Sequence, residues 1–483
     1  MNLLGILIAV VALLPAPREL AWRDGTCTFA EKDIRFVQDA ALPSEGYRLD
    51  VATGGVTVAS ADDAGAFYAM KTLRQMADGC GRAGARPSCD VDAALTVPCC
   101  SIKDSPAFRW RGFMLDEGRH FFGKETVKSL LDRMADYKLN VFHWHLTEDQ
   151  GWRLAIDRFP ELVQYGSVRP ESPEHGCRGT PGDYRGNGQQ YGPYFYKAAD
   201  VREILAYAKE RFITVVPEIE VPGHIRALLA AHPEFACREG LPRVPRTMNG
   251  IEDDVLCVGN DDAIRFMEQV YDEVCQLFPG AYIHIGGDEC PKCQARIKAL
   301  GLKDEDELQA WVTRHFTDYL AKKGRRTVGW DEILAGNPGL ETVVHNWRKP
   351  EYGVEAAEKG HDVVISALGA TYFSVPQGVE EDPFTYLSPK RRCSLMAAYA
   401  FNPLDGMTDK AKNRVLGAEC CMWSECVWNE CDLAFKLWPR ACAFAEAVWT
   451  APAKPRDFEG FKRRMAVHRR RLISAGVNCA PLD

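Results

Sequence analysis

Apolar positions along the chain fall into two regimes. Up to about residue 105, short alternating stretches such as VTVAS (56–60) predict half-buried strands, and Asp62 to Met76 carries Phe67, Met70, Leu73 and Met76 at helical spacing. Turns rich in Gly, Ala and Asp separate these elements. Together they predict a small α+β domain over residues 13–105. The segment KDSPAFRWRG reads as a junction, which puts the boundary near Ser105 and Pro106.

From Arg109 onward, short apolar runs that do not alternate are followed by longer helical patterns. RGFMLDE (111–117) opens the series, and ETVKSLLDRMADY (125–137) follows with Val127, Leu130, Leu131 and Met134 in helical register. NVFHWHL (140–146) is the second strand. The helix VREILAYAKERF (201–212) leads into ITVVPEIEV (213–221), the third, and YIHIGGDE (282–289) is the fourth. A helix from Glu305 to Lys322 precedes RTVGWDE (326–332), and ETVVHNW (341–347) is followed by the short helix EYGVEAAEKG (351–360). DVVISAL (362–368) and VLGAECCMWSE (415–425) complete the strands, and LWPRACAFAEAVW (437–449) is the last helix. Strands covered on both faces need not alternate. The expected fold is α/β: a (β/α)8 TIM barrel over residues 106–483, with C-terminal helices, preceded by the small α+β domain.

In such a barrel the C-terminal strand ends carry the active site, and polar residues gather there. The first strand end gives Asp116, Glu117, Arg119 and His120; the second His143, His145, Glu148 and Asp149; the third Glu218, Glu220 and His224. The fourth gives His284, Asp288 and Glu289, and the fifth Trp330, Asp331 and Glu332. His345 and Trp347, Tyr372, and Trp423 with Glu425 follow from the last three. The loop from Gln164 to Tyr196, rich in Gly, Pro and Tyr, is expected to cap or shape the pocket; a disordered surface loop is the alternative.

Composition narrows the classes. The 483 residues are 26% charged with a net charge of -8 and no long basic run, which excludes a nucleic-acid surface. The apolar run from Leu3 to Leu14 is too short to span a bilayer and has the length of a signal-peptide core. Residues 1–12 are therefore read as that core. The expected location is secreted or periplasmic, the alternative is cytoplasmic, and no transmembrane segment is expected. Of the 18 cysteines, Cys290 and Cys293 form a lone CxxC without a second pair at zinc spacing, which argues against structural zinc. The group Cys420, Cys421, Cys426 and Cys431 reads as small core hydrophobes, with one or two disulfides as the alternative.

Carboxylates mixed with tryptophans suit a sugar: C–H faces stack on indoles, and hydroxyls bond to charged groups. Cleaving a glycosidic bond needs a protonated acid beside the leaving oxygen and a second group supporting the anomeric carbon. Adjacent Asp288 and Glu289 supply both, and their proximity raises one pKa. A metal at His143, His145 and Asp149 is disfavoured, because these positions share a face only while the strand stays extended. Gly286-Gly287 precedes acids rather than Lys and Ser/Thr, which argues against a phosphate loop.

With these residues in place, the chain resembles the β-N-acetylhexosaminidases of glycoside hydrolase family 20. The resemblance rests on LLPAPREL, FYAMKTLRQ, RGFMLDEGRHFF, NVFHWHLTEDQGWR, VVPEIEVPGH, HIGGDE, VGWDEI, HNW, YFS, MWSE and WPRACAFAEAVW, in that order. It implies exo-acting, retaining hydrolysis of terminal N-acetylglucosamine or N-acetylgalactosamine, in which the substrate's own acetamido oxygen attacks and forms an oxazolinium intermediate. Glu289 is then the general acid and later base, and Asp288 orients the acetamido nitrogen. Tyr372 bonds the acetamido oxygen, and Trp330, Trp347 and Trp423 line the subsite. Arg119 and Glu425 bind ring hydroxyls, and Asp149 with His224 supports Glu289. The implied partners are N-acetylhexosamine-terminated glycans or oligosaccharides; no cofactor and no metal are implied, and no oligomeric state is assigned. The acidic pair before Gln-Gly-Trp is here Glu148-Asp149. The motif after the seventh strand ends in Ser374 where the family has Asp, which bears on recognition around C4 and C6 of the sugar. Alternatives on the same scaffold are a lacto-N-biosidase or a 6-sulfo-N-acetylglucosaminidase. From another class, a non-catalytic glycan-binding protein is disfavoured by the intact Asp288–Glu289 pair and Tyr372.

Overall fold

The structure, a computed structural model, describes residues 12–79, 94–175, 177–289, 297–336, 338–378, 391–450 and 456–482. Its N-terminal part is a five-stranded sheet ordered Glu19–Phe29, Leu95–Asp104, Tyr47–Ala52, Gly55–Ser60, Arg35–Gln38. Tyr47–Ala52 alternates buried and more exposed positions, as a sheet with one covered face requires. The covering element is the helix Asp63–Gly79. Its Tyr68, Ala69, Leu73 and Met76 pack on Leu49, Val51, Val58 and Ile102 of the sheet.

Eight parallel strands then close into a barrel, in the order expected from the sequence: Trp110–Asp116, Val141–His145, Thr214–Glu218, Tyr282–His284, Arg326–Trp330, Val343–Asn346, Val363–Ile365 and Val415–Met422. The first, second and last are buried at every position, which explains why the sequence shows runs there rather than alternation. The barrel interior is packed in layers. Trp110, Val141, Val216, Val328, Val343, Val364 and Leu416 form one apolar layer. Cross-strand register pairs Asp116 with His145, His145 with Glu218 and Glu218 with His284, so polar residues from four neighbouring strands meet near their C-terminal ends. Met114, Trp330, Tyr372 and Cys421 form a further apolar cluster, with Trp347 and Trp423 packed against it.

Several expectations need refinement. Gln164 to Gly166 belong to a short helix, Glu161–Gly166, rather than to a loop. The rest of the segment is tied down by bridges between Arg169 and Tyr191 and between Leu154 and Tyr196, so it is not a disordered loop. Most of the N-terminal apolar run, residues 3–11, lies outside the described residues, but Ala12, Leu13 and Leu14 at its end are buried. Leu14 N donates to Gln75 Oε1 at 2.9 Å, and His468 Nε2 lies 2.9 Å from the Ala12 carbonyl oxygen. Cys80, Cys89 and the pair Cys290–Cys293 lie outside the described residues. Cys420 and Cys421 are buried free thiols, and Cys431 is an exposed one, so these three act as thiols rather than disulfide halves. No helix among the described residues is long and apolar enough to cross a membrane.

A buried polar node joins the sheet to the barrel. Asp104, at the end of the sheet, accepts from Tyr47 Oη at 2.8 Å, from Lys138 Nζ at 3.1 Å and from Trp449 Nε1 at 3.0 Å. Arg111, on the first barrel strand, donates to Glu45 Oε2 at 2.7 Å and to Tyr68 Oη at 3.2 Å. Asp104 and Lys138 are almost fully buried, so removing one leaves the other's charge uncompensated. Asp104→Ala is expected to lower unfolding stability by about 3 kcal/mol or more, read as a shift in the urea midpoint; a loss below about 1 kcal/mol would show that the node does not couple the two parts.

Candidate active site

At the C-terminal mouth of the barrel a pocket is lined by Arg119, Gly250, Ile251, Asp288, Glu289, Trp330, Trp347, Tyr372, Ser374, Trp423, Glu425 and Cys426. Arg119, Asp288, Glu289, Trp330, Trp347, Trp423 and Glu425 come from the ends of strands one, four, five, six and eight, which is where the fold places reactive groups. Four aromatic rings form a box. Trp330 and Trp423 are 5.8 Å apart, Trp347 stacks near Tyr372 at 6.2 Å, and Tyr372 lies 6.3 Å from Trp423. Three of the rings are held from behind. Trp330 Nε1 donates to Glu218 at 2.8 Å, and Trp347 Nε1 donates to Glu332 at 3.0 Å. Tyr372 is drawn against the last strand by a bridge to Cys421, and burial first among the causes keeps its phenol protonated.

The acids sit on a turn that only glycine permits. Gly286 (φ 68°) and Gly287 (φ 89°) both adopt left-handed backbone, and a Cβ at Gly286 would collide with the Glu220 carboxyl. Glu289 itself has φ 43° and His224 has φ 52°, conformations that cost a non-glycine residue energy and that cluster at functional sites. The turn buries Asp288 and leaves the Glu289 side chain 38% exposed.

His224 joins the two acids. Its Nε2 lies 3.6 Å from Asp288 Oδ2 and 3.8 Å from Glu289 Oε2, and its Nδ1 lies 2.7 Å from Glu148 Oε1. Asp149, which the family resemblance placed in this network, stands 3.9 Å from Nδ1. Its carboxylate instead accepts from the backbone N–H of Arg226 at 3.0 Å and of Glu252 at 2.8 Å. The direct partner of His224 is therefore Glu148, because the backbone bonds turn Asp149 toward the chain segments it anchors. Glu148 also pairs with Arg119 at 3.1 Å, and Arg119 pairs with Asp116 at 3.1 Å and approaches Glu425 at 3.8 Å.

This arrangement decides the charges. Burial opposes the imidazolium of His224, but Glu148 and then Asp288 outweigh it and raise its pKa well above the usual value. Burial raises the Asp288 carboxyl to about 7, with the charges of Glu289, Glu218 and Glu148 acting in the same direction against His224. Beneath the site, Glu218 lies within 3.0 Å of His143, His145 and His284, and these histidines outweigh burial to hold it well below the usual range. His143 stands between Glu218 and Glu419, 2.7 Å from the latter. Burial works against its proton, yet Glu419 and then Glu218 raise it to about 10. His345 Nε2 is instead 2.7 Å from Ser366 Oγ, and burial keeps that ring neutral. His143 and His145 are thus partners of carboxylates, and Asp149 comes together with Glu148 and His224 rather than with them.

Three buried polar atoms of the pocket residues have no hydrogen-bond partner among the described residues: Arg119 Nε, Trp423 Nε1 and Asp288 Oδ1. Each orphan costs roughly 1–3 kcal/mol, which a ligand offering the complementary atom would recover. Two donors and one acceptor around an aromatic box fit a small neutral molecule with an apolar face, hydroxyls and an N–H group.

Every residue assigned to substrate contact from the sequence lies in this one pocket: Arg119, Asp288, Glu289, Trp330, Trp347, Tyr372, Ser374, Trp423 and Glu425. His224 stands behind them. Among the described residues, the loop up to Tyr196 contributes none to the lining; it buttresses from outside, with Tyr196 Oη donating to Glu117 at 2.7 Å and Tyr191 Oη accepting from Phe121 N at 2.6 Å. Gly250 and Ile251 take its place at the rim, anchored through Gln150 Nε2, which donates to the carbonyls of Met248 and Gly250. Sequence reasoning missed this segment and Cys426. The only available signal was the Asn-Gly pair at 249–250, a turn signature.

Comparison with known proteins agrees with this picture. Residues 108–452 match the family model for the glycosyl hydrolase family 20 catalytic domain, and residues 16–105 match that for domain 2 of the same family. The chain is 43% identical over 457 residues to a beta-hexosaminidase of Porphyromonas gingivalis, covering 91% of this chain but 55% of the relative. It is 31% identical over 481 residues to a beta-hexosaminidase of Akkermansia muciniphila, covering 96% of this chain and 91% of that one. Thus the chain spans little more than half the length of the P. gingivalis protein. Among solved structures, an exo beta-N-acetylglucosaminidase from Vibrio harveyi in complex with N-acetylglucosamine superposes with a TM-score of 0.85 at 30% identity, covering 98% of this chain and 79% of that one.

Glu148→Gln removes the charge that does most to keep His224 protonated. The variant is expected to lose roughly tenfold to a hundredfold in kcat/KM, the scale of one charge-assisted hydrogen bond. Because the His224 pKa then falls, the alkaline limb of the kcat/KM profile should move to lower pH. An unmoved limb would remove Glu148 from this role.

Proposed function

The chain belongs to glycosyl hydrolase family 20, and from that premise we propose that it is an exo-acting β-N-acetylhexosaminidase that releases terminal N-acetylglucosamine or N-acetylgalactosamine from glycans. The observation that carries this reading is the placement of two adjacent carboxyl groups at one edge of the aromatic box, one buried and one exposed, around a single histidine nitrogen.

One oxygen of Asp288, one of Glu289 and a nitrogen of His224 lie within 4.8 Å of one another. Two neighbours on one turn do not straddle the sugar ring as an acid and an opposing nucleophile would. As the family resemblance implies, the nucleophile in this reading is on the substrate: the acetamido oxygen at C2 attacks the anomeric carbon and the leaving oxygen departs, giving an oxazolinium.

In this reading Glu289, exposed toward the aglycone side, gives its proton to the leaving oxygen and later takes one from the attacking water. Asp288, whose Oδ1 lacks a partner, accepts the acetamido N–H and stabilises the positive charge that develops on the ring closed by the attack. Tyr372 donates to the acetamido oxygen and aims it. Trp330, Trp347 and Trp423 exclude water and hold the methyl group and the sugar face. Arg119, clamped by Asp116 and Glu148 and with Nε making no hydrogen bond to the described residues, donates to ring hydroxyls beside Glu425. Ser374 offers a short neutral contact where a carboxylate would bind hydroxyls more strongly.

Release of p-nitrophenol from the β-N-acetylglucosaminide and β-N-acetylgalactosaminide tests the proposal. Turnover of at least one is expected, with a loss of ~10²-fold or more in Glu289→Gln. Equal turnover by that variant would remove Glu289 as the acid, and cleavage of neither sugar by the unaltered chain would overturn the activity. Ser374→Asp is expected to change the ratio of the two rates, because it adds a charged acceptor beside the sugar; an unchanged ratio would place Ser374 outside C4 recognition.

A further inference from the structure

Glu220 is buried in the floor of the site, yet neither of its carboxyl oxygens has a hydrogen-bond partner among the described residues. Its backbone N–H is satisfied by Thr147 Oγ1 at 2.9 Å, so the side chain alone is orphaned. The missing side chain at Gly286 makes room for this carboxyl directly against the turn that carries Asp288 and Glu289. The surroundings are acidic. Glu218 lies in the same cluster, with one oxygen of each glutamate and a nitrogen of His145 within 4.8 Å of one another.

The two glutamates are treated oppositely by the fold. Glu218 is within 3.0 Å of three histidine rings and accepts from Trp330 Nε1. Among the described residues His145 is the one ion-pair partner of Glu220, at 4.0 Å, and that ring is already 3.0 Å from Glu218. The charged and titratable groups facing it are Asp288, Glu218 and Glu148, which disfavour its ionisation, Arg119, which favours it, His145, and the phenol of Tyr271. A buried carboxylate without a donor, next to a second carboxylate that accepts from Trp330 Nε1 and lies among three histidine rings, is the one that binds a proton.

We infer that Glu220 is a positioning residue that holds the proton of the buried acidic cluster, so that Asp288 faces the substrate as the ionised member. Burial first, then the Asp288 charge, pushes the Glu220 carboxyl well above the usual range, in keeping with this geometry. Were Glu220 ionised, its charge would add to those of Glu218 and Glu148 in holding a proton on Asp288. Asp288 would then be neutral when an acetamido N–H arrives and a positive charge develops. This inference rests on the role proposed for Asp288 in hydrolysis.

The test uses the full chain in two measurements. Infrared difference spectra of the unaltered protein against Glu220→Gln at neutral pH should contain the carbonyl band of a protonated carboxylic acid; Glu220→Leu gives the same comparison if the Gln variant does not fold. In the pH profile of kcat/KM, Glu220→Gln removes no charge, so its acid limb should stay in place. The proposal is overturned if no protonated band distinguishes the proteins. It is equally overturned if the acid limb moves to lower pH by about one unit or more, the mark of a removed like charge. The infrared measurement needs no substrate, so a chain without hydrolytic activity would refute the proposed function and still decide the state of Glu220.

Discussion

The carboxyl groups of Glu148, Glu218, Glu220, Asp288 and Glu425 crowd together at and beneath the C-terminal mouth of a packed barrel, and the site depends on how their charges are compensated. Burying an unpaired charge is prohibitive, so each group must find a cation, find donors or bind a proton. Glu148 has Arg119 and His224, and Glu218 has three histidines and an indole. Asp288 shares His224. What is left over, the partial compensation of Asp288 and the unpaired edge of Arg119, is what a substrate can use.

The same constraint reaches backward into the fold. His143, His145, His284 and His345 stand on three strands, the second, fourth and sixth, between the apolar layer and the aromatic box, where they serve as counter-charges or neutral packing. Gly286 is without a side chain because Glu220 occupies that space. The tryptophans that form the pocket wall are oriented by acids outside it, Glu218 for Trp330 and Glu332 for Trp347. Burial and the nearby charges of Asp288 and Asp331 raise the Glu332 carboxyl to about 8, with Arg348 opposing. Rigid supports of this kind set the precision of a catalytic site.

Much of this was legible in the sequence. All eight barrel strands were readable because strands buried on both faces appear as apolar runs ending in polar residues, and VLGAECCMWSE shows both features at once. The pocket residues were readable because a barrel brings its strand ends together whatever their distance along the chain. Two kinds of information were not readable. Which of two adjacent acids faces His224 depends on where backbone N–H groups point, and those of Arg226 and Glu252 claim Asp149. Which loop reaches over the pocket depends on its anchors: the Tyr-rich segment is bound to Glu117 and Phe121 outside the mouth, while Gly250 and Ile251 lie over the rim. Of the N-terminal apolar run, Ala12, Leu13 and Leu14 at its end are buried in the protein interior, and residues 3–11 lie outside the described residues.

The central claim is that the nucleophile belongs to the substrate and that the protein aims it. The most direct measurement is kcat/KM along a series of aryl glycosides whose 2-acetamido group carries none, one, two or three fluorines. Fluorine withdraws electrons from the carbonyl oxygen while changing its size little. If that oxygen attacks the anomeric carbon, the rate must fall steeply with each fluorine. A rate that does not depend on fluorination would mean that a group on the protein, or a water, attacks instead.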